Sequence, residues 1–219
     1  DFLSHLIKAG GKCESIIVSH LHGDHVGGET DIRKFLHEIT GDRIPIRAHH
    51  LTADALKGRT SFDSSLSDGD IILLEDAEGE PFELEVLHTP GHANGHLCFY
   101  DKELGFLLTM DNVISGSTVL IDPPEGNMAE YLETRARLRD LPGLRSLAGS
   151  HGPAIKHGKE KIEEYIAHRL ERERQVKELF DSGIQEPEEI ASSIYSDLAP
   201  VLLPLAVRSV TAHLEKIKE

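Results

Sequence analysis

The chain has 219 residues, of which 39% are hydrophobic and 28% charged, and its formal net charge at pH 7 is −15. This balance is typical of a globular protein that buries its own core, as one large domain or one domain with a small appendage. The acidic charge repels polyanions at long range, so nucleic acid binding would require a local basic patch. No apolar run approaches the roughly 18 residues that cross a bilayer, so we expect no membrane partner.

The first residues, DFLSHLIKAGGKC, lack both an initiator Met and a basic region followed by an apolar stretch. This pattern is typical of a processed or truncated start rather than of a signal peptide. Two cysteines, Cys13 and Cys98, give no disulfide framework. We therefore expect a reducing compartment and a cytoplasmic protein.

Hydrophobic periodicity predicts an alternation of short strands and helices in the first half of the chain. The first strand, ESIIVSH, is apolar and β-branched, and the helix after it is closed by Gly41. In chain order, the predicted elements are a strand at 14–20, a helix at 27–41, a strand at 43–49, a short helix at 51–58, a hairpin at 69–89 and a second hairpin at 96–111 with its turn at 102–105.

Helical patterns dominate the second half of the chain. A helix is predicted at 127–141, with Asn127 as its N-cap, and a strand follows in RSLAGSHGP. A long charged helix is then predicted from about 159 to 180. Its inner face is expected to carry Ile162, Ile166, Leu170 and Leu179. Residues 187–219 predict an appended module of two or three short helices, with Pro187 in a first turn.

Histidines and aspartates recur where predicted strands pass into loops. Imidazole and carboxylate together suit zinc or iron, whereas an all-oxygen set would favour calcium or magnesium. Seven such groups exceed the needs of one tetrahedral ion and fit two ions roughly 3–4 Å apart that share a carboxylate and a water. The candidate ligands are His20, His22, Asp24, His25, His92, Asp111 and His151.

The spacing within HLHGDH also carries a prediction. His20 and His22 are two residues apart, so in an extended turn they point the same way. Asp24 and His25 are adjacent and are expected to diverge, which would let one loop supply two metals. Glycines lie close to the histidine motifs and permit the tight turns that bring the ligands together; they are Gly23, Gly27, Gly28, Gly91, Gly95, Gly149 and Gly152.

HLHGDH, the His of TPGHANGH, Asp111 and SHGP, in this order, resemble the metallo-β-lactamase superfamily of metallohydrolases. The resemblance implies an α/β fold, an αββα sandwich with the site at one edge between its sheets. It also implies which residues hold two divalent ions, with zinc expected and iron or manganese as alternatives. One ion would be held by His20, His22 and His92, and the other by Asp24, His25 and His151, with Asp111 bridging the two.

Three further segments are similar to the lactamase-beta-like protein 2 branch of this family, whose members carry a C-terminal winged-helix extension. These segments are GSTVLIDPPEGNMAEYLETRARL, YIAHRLERERQV and SVTAHLEKIKE. We therefore predict a catalytic domain at 1–158, followed at 159–219 by the long helix and a winged-helix-like module. The family usually has Gly where this chain has Met110, and Pro-Gly where it has Gly149-Ser150. Because the family normally has a longer segment before its first His motif, the N-terminal part of the fold is expected to be shortened.

The predicted activity is hydrolysis by a metal-bridging hydroxide that attacks a small ester, thioester or lactam-like carbonyl. The catalytic residues would be His22, Asp111 and Asp24, the last of which would orient the nucleophile or accept a proton. Cleavage of single-stranded RNA, which the branch resemblance permits, and a non-catalytic metal-stabilised scaffold remain alternatives. A small-molecule substrate is favoured because residues 187–219 hold three basic and five acidic residues. A homo-oligomer is compatible with the sequence.

Nine histidines lie outside this ligand pattern, and expectations follow for four of them. His88 and His96 flank His92, and we expect them to be core residues or to support a ligand. His49 and His50 are adjacent, so one is expected to face inward and the other to face solvent.

Overall fold

The structure is a computed structural model that describes residues 2–116 and 118–218. The chain divides into two compact units. The first unit comprises residues 1–88 and 95–101, and the second comprises residues 89–94 and 102–219.

The first unit combines short helices with two groups of paired strands. Its helices are α1 (Phe2–Lys8), α2 (Gly23–Val26), α3 (Glu29–Thr40) and α4 (His50–Ala55). Its strands are β1 (Ile16–Val18), β2 (Ile46–Ala48), β3 (Ser64–Ser65), β4 (Ile71–Glu75), β5 (Pro81–His88) and β6 (Leu97–Asp101).

Strands β1, β2 and β3 form a parallel sheet in that order. Ile16 of β1 is paired with Ile46 of β2, and Val18 with Ala48. Apolar side chains from this sheet pack with neighbouring helices into a core of Val18, Val26, Ile46, Ala48 and Leu56. The predicted strands at 14–20 and 43–49 are confirmed, and both are shorter than predicted.

Strands β4, β5 and β6 pair antiparallel. The predicted hairpin at 69–89 is therefore confirmed, with Ile71 opposite Glu85 and Glu75 opposite Pro81. Helix α3 ends as its sequence indicates, because Gly41 adopts φ = 79° and its backbone N–H bonds to the carbonyl of His37. The predicted turn at 102–105 also forms, at the end of β6.

The second unit contains one parallel strand pair and the longer helices. Its strands β7 (Phe106–Met110) and β8 (Ser146–Gly149) pair in register from Phe106 and Ser146, with an irregularity between Leu108 and Met110. Its helices are α5 (Met128–Arg139), α6 (Gly158–Asp181), α7 (Pro187–Ile194), a 3₁₀ turn (Pro200–Leu202) and α8 (Leu203–Lys218).

The caps of this unit follow from the sequence. The Asn127 side chain accepts a hydrogen bond of 3.0 Å from the backbone N–H of Glu130, which confirms the predicted N-cap of α5. Met110 has φ = 46°, a left-handed conformation that Gly adopts without strain. The chain therefore keeps the backbone of a Gly position while carrying a larger residue there.

The C-terminal residues pack around an apolar core of their own. This core consists of Val176 near the end of α6 together with Ile190, Ala191, Ala206, Val210 and Leu214 of α7 and α8. The prediction of two or three short helices is correct for α7 and wrong for α8, which runs for 16 residues. Within the described part of the chain, no helix is both long and apolar enough to cross a membrane.

The inner face of α6 differs from its prediction. Ile162 is buried as expected, but Leu170 is 49% exposed, so its placement on the inner face was wrong. The adjacent Arg169 is buried instead, with 3% of its surface exposed. Apolar periodicity failed here because the buried stripe includes a guanidinium that has polar partners inside the fold.

Candidate metal centre

The first unit gathers four of the predicted ligands directly after strand β1. His20 is fully buried just past the end of β1, and His22 is the residue before helix α2. Nε2 of His20 lies 3.0 Å from Nδ1 of His22. Two zinc–nitrogen bonds of about 2.0 Å at a tetrahedral angle would place their nitrogens about 3.3 Å apart. The observed separation therefore fits two imidazoles that face one ion.

The single turn of α2 sets the directions of the other two ligands. Oδ2 of Asp24 lies 3.6 Å from Nε2 of His25, so the two side chains converge. The prediction that they diverge was wrong, because the residues lie in a helical turn rather than in an extended loop. Their convergence places an imidazole and a carboxylate together, as one metal ion would require.

Ser19 is a functional candidate that the sequence reasoning missed. Its buried hydroxyl lies 3.1 Å from Nδ1 of His20 and 3.5 Å from Nδ1 of His25. A ligating histidine usually uses its second ring nitrogen for such a bond, which fixes the tautomer and the direction of the ligating nitrogen. One hydroxyl thus orients two of the predicted ligands.

The predictions for His96, His49 and His50 are confirmed, whereas His88 is only half-buried and stacks on His49. His96 is fully buried, and its ring centroid lies 4.9 Å from that of His20. His49 is buried and His50 is exposed. Burial, and in smaller part neighbouring His88, stacked on it with ring centroids 4.0 Å apart, together lower the pKa of His49 to about 4. His49 is therefore neutral at physiological pH.

The second unit gathers the other three predicted ligands. Asp111 follows strand β7 and His151 follows the parallel strand β8, and the carboxyl ends of paired parallel strands meet at one sheet edge. Oδ1 of Asp111 lies 3.6 Å from Nε2 of His151, and Oδ2 lies 3.9 Å from Nε2 of His92. Asp111 thus turns a different oxygen to each histidine, as a carboxylate that bridges two ions would.

His92 is held by the loop and helix around it. Its Nδ1 donates to the carbonyl of Leu120 at 3.0 Å, which leaves Nε2 as the nitrogen on the side of Asp111. The preceding Gly91 has φ = 114°, and a Cβ at this position would overlap the backbone of Tyr131 in α5. Its carbonyl also accepts a 2.9 Å bond from the backbone N–H of Asn127. Only glycine fits this close approach between loop and helix.

Arg135 is a second residue that the sequence reasoning missed. It is fully buried, and its guanidinium donates to the backbone carbonyl of Asn112, the residue after Asp111, and to the hydroxyl of Tyr131. The guanidinium also lies 3.9 Å from the centroid of the Tyr131 ring. Because charged helix residues are usually exposed, no local pattern in the sequence marks Arg135 as buried.

The donor set within each unit fits divalent metal ions. All seven predicted residues are among the imidazoles and carboxylates that the structure identifies as candidate metal ligands. Within each unit they form pairs whose donor atoms lie 3.0–3.9 Å apart, and Ser19 and Leu120 supply the bonds that orient ligating histidines. The assignment of these residues to two particular ions stays a prediction.

Two protein-family models match the chain. The model of the metallo-beta-lactamase superfamily matches residues 8–151, and that of the beta-lactamase associated winged helix domain matches residues 187–219. The first match contains every predicted ligand. The second confirms the prediction of a C-terminal winged-helix module.

Curated relatives resemble the chain along most of its length. The beta-lactamase-like protein 2 homolog of Caenorhabditis elegans is 28% identical over 217 residues, which cover 97% of this chain and 67% of the relative. A protein of Emericella nidulans, named atrochrysone carboxyl ACP thioesterase, is 28% identical over 163 residues, which cover 74% of this chain and 46% of the relative. The chain thus spans about two thirds of the first relative and about half of the second.

Solved structures share the fold. A metallo-beta-lactamase family protein from Thermus thermophilus superposes with a TM-score of 0.72 at 23% identity and covers 98% of this chain and 78% of its own. The crystal structure of TTHA1623 in a di-iron-bound form superposes with a TM-score of 0.55 at 25% identity, over 73% of this chain and 80% of its own. The predicted metallo-β-lactamase fold is confirmed.

Proposed function

Because the chain belongs to the metallo-beta-lactamase superfamily, we propose that it is a metal-dependent hydrolase acting on a small ester or thioester carbonyl. The observation that carries this proposal is the position of Asp111, which directs one carboxylate oxygen toward His92 and the other toward His151. A site for one structural ion needs only four ligands and no bridging group. A shared carboxylate is instead typical of hydrolases that use two ions.

The proposed ligand sets follow the groupings that the family resemblance implies. His20, His22 and His92 would hold one ion, and Asp24, His25 and His151 would hold the other. Asp111 would contribute to both. Bound divalent ions supply Lewis acidity toward a carbonyl oxygen and lower the pKa of water toward neutrality.

The chain's own side chains would handle the proton. The side chain of Asp24 is 60% exposed, so its carboxylate reaches solvent while it stays 3.6 Å from His25. From this position it can orient an attacking water and accept the proton that the water loses. Nδ1 of His22 faces Nε2 of His20, and His22 would hold it in that position. Asp111 has one oxygen near His92 and the other near His151, and it would fix the distance between these two histidines.

Zinc is the proposed metal, and iron is the principal alternative. Five imidazoles among seven ligands suit either metal. TTHA1623, which shares this fold, has been crystallised in a di-iron-bound form, and this supports iron as the alternative. Manganese is suited mainly to carboxylates, which are the minority of the ligand set, so it is a weaker candidate than zinc or iron.

A thioester is the favoured substrate class. One relative is named as a thioesterase acting on an acyl carrier protein, and this name supports hydrolysis of a thioester carbonyl. The net charge of −15 and the acidic excess in residues 187–219 oppose RNA at long range. Single-stranded RNA remains the second candidate, because the branch resemblance noted in the sequence permits RNA cleavage. The likeness to the beta-lactamase-like protein 2 homolog covers 97% of the chain.

The test is a substrate panel on protein purified without chelator. The panel comprises a chromogenic thioester, a simple ester, a β-lactam and a labelled single-stranded RNA. We expect turnover of the thioester or the ester, lost in His22→Ala and retained in His50→Ala, since His50 is exposed and outside the ligand set. Turnover of RNA alone would replace the proposed substrate class, and no turnover with a full metal complement would favour the scaffold alternative.

A further inference from the structure

The direction of the proposed ligand His92 depends on one backbone carbonyl. Nδ1 of His92 donates to Leu120 at 3.0 Å, and this bond decides which ring nitrogen faces Asp111. If the Leu120 carbonyl moved, the imidazole would turn with it. Bonds of this kind commonly set the metal affinity of a site by fixing the orientation of a ligand.

The segment that carries this carbonyl has no strand or helix to hold it. Residues 118–122 are irregular, so no ladder of backbone hydrogen bonds fixes them. Val119 is instead bonded through its carbonyl to the guanidinium of Arg169 in α6. Asp122 forms a 2.7 Å ion pair with Arg208 of α8. Side chains from two helices thus hold the segment on either side of Leu120.

The burial of the Arg169 side chain is energetically unfavourable in itself, because a charged guanidinium loses its hydration. It is 3% exposed, and burial lowers the pKa of its guanidinium. Within the described part of the chain it forms no ion pair with a carboxylate, although a buried cation normally requires one. It donates instead to the carbonyl of Val119 and, at 3.3 Å, to the hydroxyl of Ser209 in α8. An apolar residue would fill the same volume without the desolvation cost.

We infer that Arg169 is a positioning residue that connects Ser209 of the C-terminal helix to the Val119–Leu120 segment and thereby sets the direction of His92. Through Ser209, the C-terminal module then contributes to the orientation of a metal ligand. This inference rests on the proposed function, because the importance of His92 depends on metal binding.

Three variants separate the effect of the Arg169 hydrogen bonds from the effects of its volume and its charge. Arg169→Met removes the donors and keeps most of the volume, Arg169→Lys keeps the charge, and Ser209→Ala removes the partner in α8. The matched control is Arg172→Met. Arg172 lies one turn further along the same helix, bonds to Gln175 and packs over the ring of Tyr195 at 4.8 Å.

The first measurement uses the full-length, metal-free chain. Nitrogen-15 NMR of labelled histidine reports the exchange rate of the Nδ1–H of His92 with solvent. We expect this exchange to be about tenfold faster in Arg169→Met than in wild type, because the bond to Leu120 loosens. Arg172→Met is expected to match wild type. Equal rates in Arg169→Met and Arg172→Met would overturn the inference.

The second measurement is the affinity for Zn²⁺, by competition with a chromogenic chelator. Loss of a bond that orients a ligand typically weakens metal binding about 10-fold or more, so we expect about a tenfold loss in Arg169→Met, a smaller loss in Ser209→Ala and partial rescue in Arg169→Lys. If Arg169→Met does not fold, the latter two variants decide the result by the same two readouts. Wild-type affinity in both of them would overturn the inference.

The two measurements separate this inference from the proposed function. A wild-type chain that binds no zinc contradicts the proposed function, while the exchange rate of His92 still decides whether Arg169 positions it. Zinc binding that is equal in Arg169→Met and Arg172→Met leaves the proposed function intact and removes the role of Arg169.

Discussion

Oδ1 of Asp111 lies 3.6 Å from Nε2 of His151, although the two residues are 40 positions apart in the chain. Strands β7 and β8 are parallel neighbours that end at the same edge, so the residues following them meet there. The other oxygen of Asp111 is turned toward His92. This arrangement makes Asp111 the residue on which the dinuclear interpretation depends most strongly.

Replacing this carboxylate is expected to disable the site while preserving the fold. Asp111→Asn keeps the shape of the side chain and removes the charge that would be shared between two ions. We expect loss of at least one metal ion per chain and a fall in kcat/KM beyond the roughly 10- to 100-fold typical of outer-sphere changes. Elemental analysis and thioester kinetics measure the two effects. Asp140→Asn, which removes an exposed carboxylate paired with Arg139, is the control, and an equal effect of both variants would contradict the role of Asp111.

The Ser19 hydroxyl is expected to increase metal affinity without taking part in the reaction. Ser19→Ala removes the oxygen that lies 3.1 Å from Nδ1 of His20 and 3.5 Å from Nδ1 of His25. We expect zinc affinity to fall about 10-fold, as for other partners of ligating histidines. Chelator competition measures this change, with Ser193→Ala, an exposed serine of α7, as the control. Wild-type affinity in Ser19→Ala would mean that the two imidazoles are oriented without this hydroxyl.

Gly91 is expected to tolerate no side chain. In Gly91→Ala the new Cβ would overlap the backbone of Tyr131, whereas in Gly183→Ala it would meet no atom within 4 Å. Both glycines have positive φ, 114° and 103°, so both variants carry the strain of a left-handed conformation. Gly91→Ala should therefore lower the free energy of unfolding by about 1–3 kcal/mol more than Gly183→Ala. Urea denaturation measures both, and equal losses would show that α5 moves away freely.

His213 predicts a loss of stability in mild acid. It is 1% exposed, and its pKa is lowered from 6.5 to about 3, chiefly by burial and in smaller part by nearby cations. Between these two values the unfolded chain binds a proton that the folded chain does not, so the free energy of unfolding falls as the pH falls. The charged and titratable groups around it are Arg169, Lys216, His168, Arg172 and, at 3.7 Å, Glu173.

The test compares His213→Gln with wild type in the presence of a chelator. The variant should lose up to about 1.4 kcal/mol per pH unit of pH dependence between about pH 6.5 and about pH 4, the contribution of one proton. Denaturant titrations at several pH values measure this slope. His157→Gln changes an exposed histidine and should leave the slope unchanged. An unaltered slope in His213→Gln would mean that His213 is protonated in the folded protein.

The sequence predicted those features that depend on local signals. The Asn127 cap, the Gly41 end of α3 and the strands before HLHGDH and Asp111 are each indicated by a few adjacent residues, and each is confirmed. The ligand candidates were identifiable because imidazoles and carboxylates follow predicted strands, and glycines lie near the histidines among them. Their grouping came from the family resemblance and not from spacing.

What the sequence did not predict depends on distant partners. Arg135 and Arg169 are buried because backbone carbonyls far along the chain accept their protons, and nothing in a charged helical stretch indicates this. The convergence of Asp24 and His25 depends on a single helical turn, too short for a periodic signal. Ser19 was not predicted because its role depends on the positions of the His20 and His25 rings beside its hydroxyl in the folded chain.

The most direct test of the central claim is the metal content of the chain. Protein purified without chelator, incubated with excess zinc and dialysed, would be analysed for zinc per chain. The ligand sets proposed from Asp111, His92 and the HLHGDH motif predict about two zinc ions per chain, falling to about one or fewer in Asp111→Asn. Retention of about one ion or fewer per wild-type chain would contradict a dinuclear centre and, with it, the proposed hydrolysis by a two-ion site.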